Sequence, residues 1–322
     1  MLVDRISEFP DDILVNILSL LTMKEAVRTS ILSHRWKNLW KLITRRLDFD
    51  DWNVLQGIDR CNLESWRCIS RKFDYNDKYD RMFVFRGIAN LREFALLRLK
   101  RSKYMRWVQR ILASHKGNSI ETFRVHFDLD LPFKPDIDRW INFAIDKRVQ
   151  RLELDLERLG RDTKDCYPFP VKIFSNPNIG LLKALSLNYV DVNKEVLDSL
   201  LQKCPTLEFL HVSNSECLVG LVSFGASQKL KHLEIVQCPK LKYLQISATN
   251  LRSLTFVGPK TTRLIVENNP NLTSVSFGGH YCHHTIRAFP KMLPTSQFRS
   301  RLQMLSLDII EEVSSNKFLF SF

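Results

Sequence analysis

Apolar residues recur at helical spacing over the first fifty positions and at strand spacing beyond position 120. Ile13, Leu14, Ile17, Leu18 and Leu21 repeat every three or four residues, which predicts a first helix. Pro10 fits its first position, and Asp11 and Asp12 set negative charge against the positive end of the helix dipole. Thr22 with Glu25 three residues on is a capping-box pattern and predicts a second helix, with Ala26, Val27 and Ile31 on its apolar side. Ser33 is placed to cap a third helix bearing Trp36, Leu39 and Trp40. Val15 and Leu20 lie off the main stripe of the first helix, and two tryptophans stand four apart in the third. Three short helices cannot cover that much apolar surface with one another, so the surplus must pack on the rest of the chain or on a partner.

Residues 51–85 hold no long period; Asp74, Asn76, Asp77 and Asp80 break the pattern and mark a joint. Tyr104, Val108, Ile111 and Leu112 then predict an amphipathic helix, capped by Ser102 and ended by Gly117. Strands and helices alternate after that. Ile120, Phe123, Val125 and Phe127 predict a strand, Ile137, Trp140, Ile141, Ala144 and Ile145 a helix, and Val149, Leu152, Leu154 and Leu156 a second strand. Leu185 and Leu187 repeat the strand, and Val196, Leu197, Leu200 and Leu201 repeat the helix, which stops at Cys204-Pro205.

From there one spacing, L-x-x-L-x-V, returns at Leu207, Leu210, Val212; at Leu230, Leu233, Ile235; at Leu241, Leu244, Ile246; at Leu251, Leu254, Phe256; and at Leu272, Val275, Phe277. Leu264 and Val266 form a shorter copy. Cys204-Pro205, Cys238-Pro239 and Asn269-Pro270 each precede a leucine by two residues, where the Cys or Asn can bond backbone groups inside a turn. This is the signature of a leucine-rich-repeat (LRR) solenoid. The strand centres Ile235, Ile246, Phe256, Val266 and Phe277 lie ten or eleven residues apart, whereas an LRR coil takes roughly 20 to 29. Two strands per coil reconcile the figures. The early coils are expected to have helical outer sides, and the late ones to be nearly all strand and turn. Leu302, Leu305, Leu307 and Ile309 predict the last repeat strand; Phe318, Leu319, Phe320 and Phe322 are expected to fold back as a partial cap, the alternative being a frayed remnant of a longer protein.

The N-terminal stretch resembles the F-box in its plant form. The resemblance runs through Asp4, Arg5, Ile6 and Ser7, then Pro10, Asp11, Ile13, Leu14, Ile17 and Leu18, then Ala26 to Ser30, Leu32, Ser33, Arg35, Trp36, Leu39 and Trp40, and ends in Leu47 to Asp50. Phe9 stands where the family usually has leucine. IDRWINFAIDKRVQRLELDL, LLKALSLNYVDVNKEVLDSLLQKCPTLEFLHVSNS and KLKYLQISATNLRSLTFVGP resemble plant F-box/leucine-rich-repeat proteins, many of which continue into an FBD region; that region is expected to be absent after SRLQMLSLDIIEEV. The implied architecture is an α+β repeat protein: a three-helix F-box at 1–50, a linker at 51–85 and an LRR solenoid at 86–322. The resemblance implies the non-catalytic substrate-recognition subunit of a Skp–cullin–F-box (SCF) ubiquitin ligase, acting by proximity. Its adaptor face is Pro10, Ile13, Leu14, Ile17, Leu18, Leu21, Val27, Leu32, Trp36 and Leu39, docking a Skp-type adaptor and through it a cullin. The repeat surface takes a target protein that the sequence does not name. The alternatives are a non-ligase LRR scaffold and a polyanion- or small-ligand-sensing F-box receptor.

Composition narrows the rest. With 44% hydrophobic and 26% charged residues the balance is that of an ordinary globular chain. No apolar run approaches the roughly 20 residues of a membrane span, and charged residues interrupt any signal-peptide core, so no membrane partner is expected. Seven scattered cysteines fit a reduced protein of the cytoplasm or nucleus. The net charge of +13 is concentrated at residues 60–116, where 15 Lys or Arg face 5 Asp or Glu. A basic patch suits a polyanion, but no nucleic-acid-binding motif accompanies it, and no nucleic-acid partner is expected. His280, Cys282, His283 and His284 lack a recognised zinc spacing and read as a rim loop. No phosphate loop or nucleophile signature is present; no metal, cofactor or catalytic residue is assigned.

Overall fold

The computed structural model describes residues 6–50, 97–129, 131–156, 166–222, 229–267, 269–282, 302–311 and 314–321. They fall into two compact units, one within Met1–Ile43 and Phe49–Lys116, the other within Thr44–Asp48 and Gly117–Phe322. The expected joint at 51–85 lies outside the described residues.

In the first unit three helices follow one another: α1 (Asp11–Leu18), α2 (Met23–Arg28) and the single turn α3 (Trp36–Leu39). Pro10 is the N-cap of α1 rather than its first residue, a shift of one position. Thr22 and Glu25 form the reciprocal capping box. The amide of Trp36 donates to Ser33 Oγ at 3.4 Å, a loose version of the expected cap. A further helix at 97–114 buries Tyr104, Met105, Val108, Ile111 and Leu112. It does not begin at Ser102, which lies inside it: Leu, Arg and Lys dominate 97–101 and carry the helix through the serine. It is tied down by Tyr104 Oη, which donates to the Phe49 carbonyl at 2.6 Å, and by His115 Nε2, 2.7 Å from the Ile43 carbonyl. This helix groups with the first unit, not with the repeat strands that follow it in the chain.

The second unit is built on strands. A ten-stranded sheet takes, in order, β1 (Arg46–Asp50), β2 (Thr122–His126), β3 (Arg151–Asp155), β5 (Ala184–Asn188), β7 (Phe209–Ser213), β9 (His232–Val236), β11 (Ser253–Val257), β13 (Ser274–Gly278), β14 (Met304–Glu311) and β15 (Ser314–Ser321). From β2 to β14 the strands of this sheet pair parallel, with one register throughout: Leu152, Leu185, Leu210, Leu233, Leu254, Val275 and Leu305 stand side by side. Each is buried, and each strand turns alternate residues to the opposite, partly exposed face. The skipped strands lie elsewhere: β4 (Tyr167–Pro168) pairs with β6 (Val190–Asp191), and β8 (Gly220–Val222), β10 (Tyr243–Ile246) and β12 (Arg263–Val266) form a three-stranded parallel sheet. From β7 to β13 the chain therefore alternates between two sheets, which explains the ten-to-eleven-residue spacing. Earlier, helices Lys134–Asp146 and Lys194–Lys203 occupy the return path, burying the apolar residues expected of them.

Two kinds of turn recur. Asn269 Oδ1 accepts from the Ala248 amide at 2.9 Å while its Nδ2 donates to the Ile246 and Glu267 carbonyls; Cys238 at the equivalent turn makes a weak contact from Sγ to the Val236 carbonyl at 3.6 Å and a hydrogen bond with the Ser215 backbone. After the sheet strands the chain enters the left-handed region at Tyr189, Asn214, Gln237 and Gly279, with φ of 54°, 53°, 52° and 67°. The amides of Tyr189, Asn214 and Gln237 donate to the last carbonyl of the next strand in the sheet, at Ser213, Val236 and Val257. At the far edge β15 returns antiparallel to β14 over eight residue pairs. The expected fold-back therefore takes the form of an added strand.

Candidate functional site

The helical unit holds two sets of apolar side chains. Leu14 and Leu18 of α1, Met23 and Ala26 of α2, and Trp36 and Leu39 of α3 are all buried, with Trp40 and Ile43, and hold the helices together. Arg35 fixes the start of α1: its Nε donates to Asp11 Oδ1 at 2.8 Å and its Nη2 to the Phe9 carbonyl at 2.5 Å. Hydrogen bonds from Thr22 hold the Glu25 carboxyl below the usual carboxylate range.

The second set faces outward. Ile13, Ile17 and Leu20 follow one another at spacings of four and three, one side of α1 continued past its end, and all three are exposed. Leu21 is exposed beside them in sequence, as are Ile31 (87%) and Leu32 (63%) after α2. The expected adaptor residues thus divide. Pro10, Ile13, Ile17, Leu21 and Leu32 are exposed and Val27 is half-buried, whereas Leu14, Leu18, Trp36 and Leu39 are core. Ile6, Phe9, Leu20 and Ile31 are exposed apolar residues outside the expected adaptor set. Ile31 was expected on the second helix, on its apolar side with Ala26 and Val27; instead α2 ends at Arg28 and Ile31 lies exposed in a tighter 3₁₀ turn at Thr29–Ile31. Leu20, off the main stripe, carried the usable signal.

In the second unit the open face of the ten-stranded sheet carries a ladder of polar side chains. Asp155 Oδ1 accepts from Asn188 Nδ2 at 2.8 Å, Asn188 Oδ1 accepts from Ser213 Oγ at 2.7 Å and from Asn214 Nδ2 at 2.8 Å, and His211 bridges Ser213 Oγ (2.9 Å) and Glu234 Oε2 (2.8 Å). Ser213, His211 and Glu234 stand in the order of a serine-nucleophile array. The geometry opposes that role: the Ser213 hydroxyl already donates its one proton to Asn188, and its side chain is buried. The ladder ties four strands together. Nearer β1, Arg124 lies 3.7 Å from Asp48 and 3.5 Å from Glu153, so the charges of that face balance locally.

Of the histidine-rich stretch, Tyr281 and Cys282 are buried rather than looped out, the Tyr281 ring packing edge-on against Phe256 at 4.7 Å; His283 and His284 lie outside the described residues. Burial pushes the Cys238 and Cys204 thiols up to about 11 and about 12, which keeps both protonated and poorly nucleophilic at neutral pH. Among the described residues no three His, Cys, Asp or Glu side chains converge to hold a metal, and no helix is long and apolar enough to cross a membrane.

A helical unit with an outward apolar face precedes a run of in-register leucine-rich strands. Comparison with known families gives both parts a name. The F-box domain model matches residues 6–48, and the model of the At1g61320/AtMIF1 LRR domain matches residues 177–321. The chain is similar to F-box/FBD/LRR-repeat protein At1g13570 of Arabidopsis thaliana, 28% identical over 303 residues that cover 89% of this chain and 56% of that one. It is similar to F-box/FBD/LRR-repeat protein At4g00160, 25% identical with 86% and 59% covered, and to F-box/LRR-repeat protein At2g42730, 27% identical with 77% and 50% covered, both from the same plant. The chain spans about half the length of the curated relatives it matches. The chain carries an F-box followed by an LRR domain.

Proposed function

We propose that this chain is the substrate-recognition subunit of an SCF ubiquitin ligase, working in the cytoplasm or nucleus. The observation that carries the reading is the exposure of Ile13, Ile17, Leu20, Leu21, Ile31 and Leu32 around a buried F-box core. A Skp-type adaptor covers these side chains and links the chain to a cullin. Pro10 and Val27 belong to the same face, while Leu14, Leu18, Trp36 and Leu39 act by holding its shape. On this reading residues 1–50 are the three-helix F-box, 51–85 the joint and 86–322 an LRR solenoid whose two sheets form its two sides, except that the helix at 97–114 groups with the helical unit. The open face of the ten-stranded sheet takes the target protein. The chain itself performs no chemistry; holding a target beside a ubiquitin-charged enzyme raises effective concentration, and that is the catalytic contribution.

The test is reconstitution. The full chain, co-expressed with adaptor and cullin, is expected to co-purify with both and to support ubiquitin transfer to a captured protein. Capture of the adaptor without transfer identifies an adaptor-bound scaffold, and failure to capture it overturns the F-box reading.

A further inference from the structure

The helix at 97–114 carries Arg98, Lys100, Arg101, Lys103, Arg106 and Arg110 and no acidic residue. Like charges three and four apart on a helix repel and weaken it, so this arrangement needs a reason. Three of the six, Lys103, Arg106 and Arg110, lie on one side at spacings of three and four, with Trp107 between them, and together they line an open cleft of ≈ 240 Å³. Among the described residues no carboxylate pairs with any of these three. The cations are displayed from a fixed base. The Trp107 ring packs at 78° against Phe49 with centroids 5.4 Å apart and lies 5.7 Å from Tyr104, whose hydroxyl is bonded to the Phe49 carbonyl. Arg106 Nε donates to the Ser102 carbonyl, which holds its side chain along the helix and leaves the guanidinium Nη groups available.

We infer that this cleft binds a phosphate-dense anion, one carrying at least two phosphate groups. A helix rises about 1.5 Å per residue, so Lys103 and Arg110 are separated by about 10 Å along the axis, more than a lone phosphate spans. Two guanidinium groups offer forked donors that match phosphate oxygens, and the lysine adds a point charge. The indole supplies an apolar wall beside the cations, against which the carbon part of an organic phosphate packs. The phosphates can come from a free small molecule or from a phosphorylated segment of a protein; the chemistry recognised is the same.

The full chain is titrated calorimetrically with inorganic pyrophosphate at low salt, about 20 mM, where exposed charges are weakly screened. Orthophosphate and a doubly phosphorylated serine peptide form parallel arms. Pyrophosphate is expected to bind more tightly than orthophosphate and to weaken as salt rises. Lys103→Ala with Arg106→Ala and Arg110→Ala is expected to lower affinity by roughly tenfold or more, since charge-assisted hydrogen bonds are lost. Circular dichroism and adaptor co-purification are followed in the same variant to keep a folding defect apart from a binding defect. Lys100→Ala with Arg101→Ala removes two cations of the same helix that do not line the cleft, and is expected to keep most of the affinity. Peptide binding that pyrophosphate displaces assigns the source to a phosphoprotein, and pyrophosphate binding without peptide binding assigns it to a small molecule. No pyrophosphate binding at low salt, or equal losses in the two variants, overturns the cleft. Tighter binding of single-stranded RNA, weakened equally by both variants, replaces it with a diffuse nucleic-acid face.

Discussion

At the scale of single residues, the F-box separates side chains that shape a surface from those that are the surface. Leu14 is fully buried, and Leu14→Ala is expected to cost roughly 2–5 kcal/mol, read as a lower denaturation midpoint. Ile31→Asp with Leu32→Asp, both at exposed positions, is expected to leave stability within about 0.5 kcal/mol yet abolish adaptor capture. Opposite outcomes for the two variants would place the docking face on the buried set. The buried thiols give a pH dependence. Cys238 and Cys204 are pushed up from 9.0 to about 11 and about 12, while in the unfolded chain they ionise near the ordinary value. The unfolded state therefore releases protons first as pH rises, and stability present at neutral pH is lost progressively from 9.0 up to about 11 for Cys238 and about 12 for Cys204. Urea unfolding across that window should show a shallower decline in Cys204→Ala with Cys238→Ala. Residue-scale legibility was uneven. Asn269 in its turn and Thr22 with Glu25 were readable because the side chains themselves make the bonds. The exposure of Ile31 was not, because it depends on where α2 tightens into a 3₁₀ turn, and isoleucine has no say in that.

At the scale of elements, the sheet strands end in a common way. The residue after the strand turns left-handed and gives its amide to the next strand in the sheet. Tyr189 and Gln237 do this against their own preference, since an L-residue with a Cβ pays roughly 1–2 kcal/mol there. Gln237 is exposed, so its side chain contributes little packing in return. Gln237→Gly is expected to stabilise by about 0.5–1 kcal/mol, the relief of strain less the added freedom of the unfolded chain, and Gln237→Val to destabilise by more than that. Urea midpoints of the pair decide; a glycine that destabilises would show that the turn is not strained. No sequence rule marks Tyr or Gln as turn residues, so these positions were invisible, whereas the strands before them stood out by their leucines. The start of the helix at 97–114 was hidden for the converse reason: Ser102 looks like a cap, and its neighbours outweigh it.

At the scale of the whole molecule, the repeat was legible because a single register requires a single spacing. β9, β11 and β13 begin at residues 232, 253 and 274, two identical steps, and backbone bonds such as Arg252 to Lys231 and Thr273 to Arg252 repeat with them. Deleting residues 253–273 removes one coil and sets Val275 and Phe277 beside Leu233 and Ile235. Because stability in such arrays is a sum over neighbours, the shortened chain is expected to unfold cooperatively with a smaller denaturant slope. Loss of cooperative unfolding would mean that the coils are not interchangeable. What spacing could not disclose is that the helix at 97–114 groups with the F-box unit, since its pattern is equally that of a repeat helix.

The uniform parallel register also has a mechanical meaning. Once β15 and β14 have been drawn off, a strand pulled away from the β13 end meets the hydrogen bonds of one neighbour, and once it yields, the same set of bonds is loaded again on the next strand. Pulled between its ends in an optical trap, the late part of the chain should lengthen in even steps, each releasing one coil of about 70 Å of extended chain. A motor that threads this protein from that side never faces the whole sheet at once; it works against one coil's resistance at a time.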